Sequence, residues 1–352
     1  MRGQLYGRRI RVTIGNIIVA DIDPAVPDDS AGRSLDVSFT TEAHTKLEPL
    51  TTTVEVIGLN RDTRTRLEQQ QKAAKKVAWD EYQKVLTGAL EVIDEEQVLQ
   101  VKQQIVYRGL QVRVEAGYQD DFALIADATT LQDGVKHDTS AVPRSTFAAQ
   151  DGRYPWQNGF VSEEVAPGVT FYDWNLITSL SEGFLTGTVT SDQVDEATGG
   201  TLLTRKNFNG YFNSRVLEGD ASARVEEMAN ALGLTPFFDR GQRIYLNVDA
   251  VTADEAVVLR LLGKPNGDEL APAPGGLLSY VEQDRGFLTV NCLLNHRITP
   301  GRQVFVYDED GKPVGAGVFR CDYVKHSGST FDATFNSEAI LRPVTIPAAT
   351  NV

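Results

Sequence analysis

The side chains that could do chemistry in this chain are few and far apart. Its four histidines, His44, His137, His296 and His326, lie in four separate stretches, with no HExxH and no Cys-x-x-Cys. The close spacing that lets two or more such residues hold zinc is therefore missing. There is no phosphate-cradling G-x-x-x-x-G-K-[ST], no G-x-G-x-x-G and no G-x-S-x-G nucleophile elbow. Carboxylate pairs occur at Asp120-Asp121 and Asp308-Glu309-Asp310, and a glycoside hydrolase needs only two. Asp308 to Gly311, however, falls between two strand patterns, where a solvated hairpin turn is expected. His296 and His326 as general bases have no partner pattern. Dense aromatic and amide segments stand at Tyr154-Pro155-Trp156-Gln157-Asn158-Gly159-Phe160 and Asn207-Phe208-Asn209-Gly210-Tyr211-Phe212-Asn213. Such compositions suit sugar stacking, subunit contact or the anchoring of a loop to its own core. The sequence therefore predicts no catalytic, cofactor or metal site, and a structural protein in place of an enzyme.

Composition narrows the class further. A chain of 352 residues and 38.6 kDa exceeds one simple core, so two or three compact units are expected. Charged residues at 23% and apolar ones at 41% exclude a wholly disordered chain. A net charge of −14 and a pI near 4.8 argue against broad attraction to DNA, because phosphate binding needs clustered Lys and Arg. The acidity has two readings: solubility through net charge, or a negative channel wall that lets a duplex slide past. Only Cys292 and Cys321 are present. Buried free thiols made in a reducing compartment are expected, and the spacing leaves pairing open. Arg8, Arg9, Arg11, Asn16 and Asp21 interrupt any signal-peptide core, and no uncharged apolar run approaches the about 18 residues of a membrane span. A soluble protein made in the cytoplasm, without a membrane anchor, is expected.

The elements that must position these residues are mostly strands. Alternating patterns run through Ile10–Ile14, Leu35–Phe39 and Thr53–Val56, closing at Gly58-Leu59-Asn60, and resume at Gln111–Tyr118 and Phe122–Ala126. Between them the period turns helical. Thr65 with Glu68 fits a capping box, and Leu67, Ala74, Ala78, Tyr82, Val85 and Leu86 form an apolar stripe ending near Gly88. A second short helix is expected within Leu90–Gln104. The stripe packs on its own domain or docks on a neighbouring subunit. A polar stretch carries His137 and Pro143. Gly168-Val169-Thr170 opens a helix with Phe171, Leu176, Ile177, Leu180 and Phe184, and a long loop follows from Gly187 to Gly210. Asp220 caps a helix with Val225, Met228, Ala229 and Leu232, stopped by Gly233. A hairpin turns at Asp239-Arg240-Gly241, and Thr252 with Glu255 caps a third helix ending at Gly263. Ala271–Gly276, rich in Pro and Gly, is a boundary. Beyond it, Phe287–Leu293, Gln303–Tyr307, Val318–Val324 and Phe331–Ser337 are strand candidates.

Several of these stretches resemble phage tail baseplate hub proteins. The resemblance is carried by Leu288-Thr289-Val290-Asn291-Cys292-Leu293-Leu294-Asn295, by Ile298-Thr299-Pro300-Gly301-Arg302-Gln303-Val304, and by Gly317-Val318-Phe319-Arg320-Cys321-Asp322-Tyr323-Val324-Lys325-His326-Ser327-Gly328. Val114-Glu115-Ala116-Gly117-Tyr118 and Ala231-Leu232-Gly233-Leu234 before Gly241-Gln242-Arg243-Ile244-Tyr245 fit as well. The insert from about Asp62 to Ile105 is longer than that family's connection, and Leu124-Ile125-Ala126-Asp127 stands where a more glycine-rich strand end is common. The resemblance implies an α+β, mainly β fold with two tube-like β-barrel domains. The first spans 1–61 and 106–162, with a helical insertion at 62–105. A mixed α/β domain spans 163–270, and the second tube-like β-domain 271–352. It also implies a homotrimer with obligate interfaces of about 2,000 Å² or more, adapting a sixfold tail tube protein to a threefold central spike protein in the virion. Wedge or other baseplate proteins would meet the insertion, and DNA would pass only in transit. No internal sequence repeat is legible, so the paired barrels come from the resemblance alone. Other expectations kept open are a distal tail or tube protein, the hub of a secretion or gene-transfer particle, and a carbohydrate-binding or carbohydrate-cleaving tail protein.

Overall fold

The computed structural model describes residues 7–23, 35–46, 50–73, 109–118, 121–138, 142–151, 160–165, 167–168, 215–231, 233–240, 242–247, 251, 255–261 and 276–344. The second expected helix at 90–104, the helix after Gly168, the loop 187–210, the boundary 271–275 and most of both aromatic segments lie outside them.

The chain is mainly β. Its N-terminal part gives β1 (Arg8–Ile14), β2 (Ile17–Ile22), β3 (Asp36–His44) and β4 (Leu50–Ile57). After a helix α1, described over 61–73, come β5 (Gln111–Tyr118), β6 (Asp121–Asp138) and β7 (Arg144–Asp151). The middle holds β8 (Phe160–Val165) paired with β9 (Arg215–Asp220), α2 (Ala221–Ala231), and the hairpin of β10 (Leu234–Asp239) with β11 (Gln242–Asn247). The C-terminal part gives β12 (Val257–Arg260), β13 (Leu277–Glu282), β14 (Leu288–Leu293), β15 (Gln303–Tyr307), β16 (Pro313–Ser329) and β17 (Phe335–Pro343). Most strands alternate buried and open positions. In β4, Leu50, Thr52, Val54 and Val56 point inward while Thr51 and Thr53 face out, as a sheet covered on one face requires.

Among the described residues, one sheet of 13 strands joins the N-terminal and C-terminal parts of the chain, in the order β13-β14-β17-β16-β3-β4-β7-β6-β5-β1-β2, with β15 and β12 branching from β16. The sheet contains the same five-strand arrangement twice. In the first unit β3-β4-β7-β6-β5 lie side by side, and in the second β13-β14-β17-β16-β15 do. Each unit has its own core: Ile10, Val54, Val112 and Phe147 among others in the first, and Leu277, Val290, Val304 and Phe319 in the second. In each unit the fourth strand is long and serves two neighbours in succession. β6 pairs with β5 through its first half and with β7 through its second, and β16 does likewise with β15 and β17.

The registers carry the duplication down to single residues, and they correct the expectation that the sequence holds no repeat. His137 faces Ser145 and His326 faces Ser337, each across the last two strands of its unit. Ser145 faces Val56 and Ser337 faces Cys292. That alignment superposes Thr53-Val54-Glu55-Val56 on Thr289-Val290-Asn291-Cys292. It also superposes Asp133-Gly134-Val135-Lys136-His137 on Asp322-Tyr323-Val324-Lys325-His326, and Gly109-Leu110-Gln111-Val112-Arg113-Val114 on Gly301-Arg302-Gln303-Val304-Phe305-Val306. Three short echoes are separated by unequal insertions. β6 alone holds two extra residues at its corner, since Thr129 to Asp133 matches Arg320 to Asp322. A uniform offset therefore never appears, and the repeat is invisible to a scan for a fixed period.

Other expectations change. The insertion helix starts earlier than the Thr65–Glu68 box: Asn60 caps it, its Oδ1 accepting from the Thr63 N–H at 2.7 Å and its carbonyl from Arg64. Leu67 is fully buried in the first core, and Gln70 donates to Asn16 Oδ1. The third helix expected after Thr252 is replaced by β12. Val257 and Leu259 are buried and Val258 and Arg260 exposed, a period of two, because the segment lies in parallel beside β15. Strands β2, β7 and β13 were not expected, β6 and β16 run much longer than their patterns, and Phe331 sits exposed in the turn before β17. By contrast β5, the 234–247 hairpin and α2 stand where expected. Gly233, at a φ of +71°, ends α2 by donating to the Asn230 carbonyl.

Candidate assembly surface

The residues singled out for chemistry make structural contacts, most of them within one unit. His326 on β16 is buried between Ser337 Oγ at 2.8 Å and the Ile298 carbonyl at 3.2 Å. Burial pushes its pKa down to about 3, with the Arg240 charge acting in the same sense. A ring so held stays neutral and is no general base at neutral pH. His137, its counterpart, meets Ser145 Oγ at 2.9 Å, and burial again lowers its pKa, the nearby Glu68 opposing. His44 contacts the Lys46 carbonyl at 3.2 Å. The pair Asp120-Asp121 is used on its described side for anchoring: Asp121 Oδ1 lies 3.1 Å from Arg297 and 3.7 Å from His296 Nε2.

Asp308–Gly311 is the turn the sequence indicates. Asp308 Oδ1 accepts from the Lys312 N–H at 2.7 Å, its carbonyl accepts from Gly311, and Gly311 takes a φ of +76°. Cys292 and Cys321 are buried free thiols, and burial pushes Cys292 up to about 12 and Cys321 up as well. Neither is a thiolate at neutral pH. Among the described residues no group of three or more His, Cys, Asp or Glu is placed to hold a metal ion.

Two contacts escaped the sequence. The loop 294–302 is where three parts meet, with Arg240 of the middle hairpin donating to the His296 carbonyl at 2.9 Å and Asp121 of the first unit beside His296 and Arg297. At the corner of β16, Asp322 lies 2.7 Å from buried Arg320 and 3.3 Å from Arg342. It is the extra residue of a bulge between Cys321 and Tyr323, which bends the strand from one neighbour to the next. The second aspartate in the repeated D-x-V-K-H was its only sequence signal.

The joint between the units is a strand pairing. Residues Tyr323–Ser329 of β16 run antiparallel to Ser38–His44 of β3, in an unbroken register. The face of the sheet turned away from the cores crosses this joint without interruption. One row of side chains runs Asn291, Glu338, Lys325, Glu42, and the next runs Leu293, Asn336, Ser327, Thr40, Thr53, Ala148. A third runs Ser38, Glu55, Thr146, Lys136. Two cations on this face sit beside carboxylates: Lys325 is 3.8 Å from Glu42 and Arg144 3.1 Å from Glu55. Further along, Arg9 pairs with Asp23, Arg11 with Asp21 and Glu115, and Arg113 with Asp127, all within 3.6 Å. Such a face is polar, and its paired charges offer a phosphate backbone little to hold.

No protein-family model matches this chain, and no curated protein matches it by sequence. Solved structures do. A tail protein from Neisseria meningitidis MC58 is similar with a TM-score of 0.54 at 11% identity, covering 96% of this chain and 96% of that one. A 43 kDa tail protein of prophage MuSo2 from Shewanella oneidensis is similar with a TM-score of 0.52 at 11% identity, covering 96% of this chain and 98% of that one. The chain therefore has the fold of tail proteins over almost its whole length. The fold is where the resemblance read from the sequence is met.

Proposed function

We propose that this chain is the structural hub of a phage tail baseplate. Three copies form a ring of six like units that matches a sixfold tail tube at one face and a threefold central spike at the other. The duplicated five-strand unit carries the reading, because two like units per chain give a threefold assembly a sixfold-like ring. The tail-protein fold supports the placement in a tail. The paired charges of the outward face support its use as a channel wall past which DNA moves without being held.

In this reading the units are two tube-like barrels, one in 1–61 with 106–162 and one in 271–352, with the mixed segment 163–270 set beside them. The tail tube and the spike are the partners, and the 62–105 insertion, rooted on the first core through Leu67, faces wedge or other baseplate proteins. The mechanism is geometric and uses no cofactor. Electron microscopy of the purified protein, alone and with a spike, tests it: a threefold particle with six lobes around a hole is expected. A sixfold ring of single chains would replace the hub reading with a distal tail or tube protein, and a chain that stays single under both conditions would overturn it.

A further inference from the structure

The seam inside the chain has a counterpart that the chain by itself leaves open. Within the chain, the second half of the long strand β16 is paired on both sides, with β17 and with β3, the first strand of the other unit. In the first unit, the second half of the equivalent strand β6 pairs with β7 on one side, and past Thr130 no described strand lies on its other side. The first strand of the second unit, β13, is likewise paired with β14, and past the bridge from Leu277 to Leu261 no described strand lies on its outer side. β13 also exposes apolar side chains at such an edge: Val281 is 62% exposed and Leu278 46%. Long strand edges of this kind pair with another chain unless they are blocked.

We propose that β6 of one copy pairs antiparallel with β13 of the next, repeating between chains the β16–β3 seam found within one. The inference rests on the hub reading and assigns the subunit contact that reading needs. The duplication fixes the register. His137 stands where His326 does, and Thr53 where Thr289 does. Val281 then takes the place of Thr40 and Glu282 that of Thr41, and Gln283, the extended residue just past β13, takes that of Glu42. In the internal seam Lys325 faces Glu42 and His326 faces Thr41, so between chains Lys136 faces Gln283 and His137 faces Glu282. Lys136 and Gln283 then share the outward face of the sheet, an amide standing where Glu42 stands beside Lys325. Heterologous contacts of this type close into a ring when the rotation is right. The two kinds of seam alternate around it, which makes six units of three chains quasi-equivalent.

Paired cysteines test the register in the full chain. In Lys136→Cys with Gln283→Cys, mild oxidation is expected to link chains covalently up to three and no further, because directly opposed strand residues fall within disulfide reach. Lys325→Cys with Glu42→Cys is expected to close within one chain, and Lys136→Cys with Glu282→Cys, one position out of register, to link poorly. Val281→Asp, at a side chain open to solvent in the single chain, is expected to leave the melting temperature of the monomer unchanged and to weaken assembly at least tenfold. A threefold ring in the microscope without the 136–283 link would overturn the seam and leave the hub reading standing. A link that forms in an open ladder beyond three chains would keep the seam and overturn the threefold ring. No assembly at any concentration, with no link, would overturn both.

Discussion

At the scale of single residues, the paired sites of His326 and His137 show how one local motif acquires two environments. The Ser337 hydroxyl accepts from the Asn295 N–H at 2.9 Å, which leaves its own proton to donate to His326 Nδ1. The ring then donates from Nε2 to the Ile298 carbonyl. This neutral tautomer satisfies every polar atom of a buried site, and a second ring proton would have to displace the Ser337 donation. The pH dependence follows with a definite sign. The unfolded chain takes up a proton below its ordinary value of 6.5, while the folded ring resists until about 3. Stability is therefore unaffected above pH 6.5 and falls as the pH drops toward 3, by about 1.4 kcal/mol per pH unit within that window. Thermal melts from pH 8 to pH 4 are expected to show this slope, and His326→Gln is expected to flatten it. Equal slopes in the two proteins would remove His326 from the account. In the sequence His326 stands as an isolated histidine, since its partners lie on β17 and in the loop before β15.

Strands are the scale at which the fold was hardest to foresee. Alternation marked the interiors of β1, β4, β5 and β14, because each buries one face throughout. β6 and β16 hid much of their length because each turns a corner and changes neighbour, and the bulge residues at the corner break the period. The β16–β3 seam depends on close packing at Gly328. A methyl group there would collide with the Phe39 ring across the seam and press on Phe335 at 3.1 Å. Phe39 and Phe335 are both buried in the first core, so the ring has no free space to enter. Gly328→Ala is expected to cost about 1–3 kcal/mol, read as a lower urea midpoint with an unchanged slope. The exposed pair Lys325–Glu42 on the same seam is worth under about 1 kcal/mol, so Lys325→Ala should barely move that midpoint. A neutral Gly328→Ala would mean that the seam is looser than its packing.

For the whole molecule, charge and duplication together set what an assembly can do. With a net charge of −14 and with Lys325 and Arg144 paired on the outward face, the protein is expected not to retard duplex DNA in about 0.1 M salt. Glu42→Lys with Glu55→Lys frees Lys325 and Arg144 from their partners. It is expected to create binding whose affinity falls steeply with salt. Retention of DNA by the unsubstituted protein, weakening with salt, would remove the channel-wall role.

The sequence by itself determined the class of the molecule. Its composition, its scattered histidines and its acidic balance exclude the common catalytic and phosphate-binding patterns, and its alternating runs make it mainly β; these are local properties that any stretch reveals alone. Only the tertiary structure decided that β12 is a strand, that one sheet joins the N-terminal and C-terminal parts of the chain, and that the two units are copies. Each of those facts is a pairing between residues far apart in the chain, and a pairing register leaves no mark on either strand read singly.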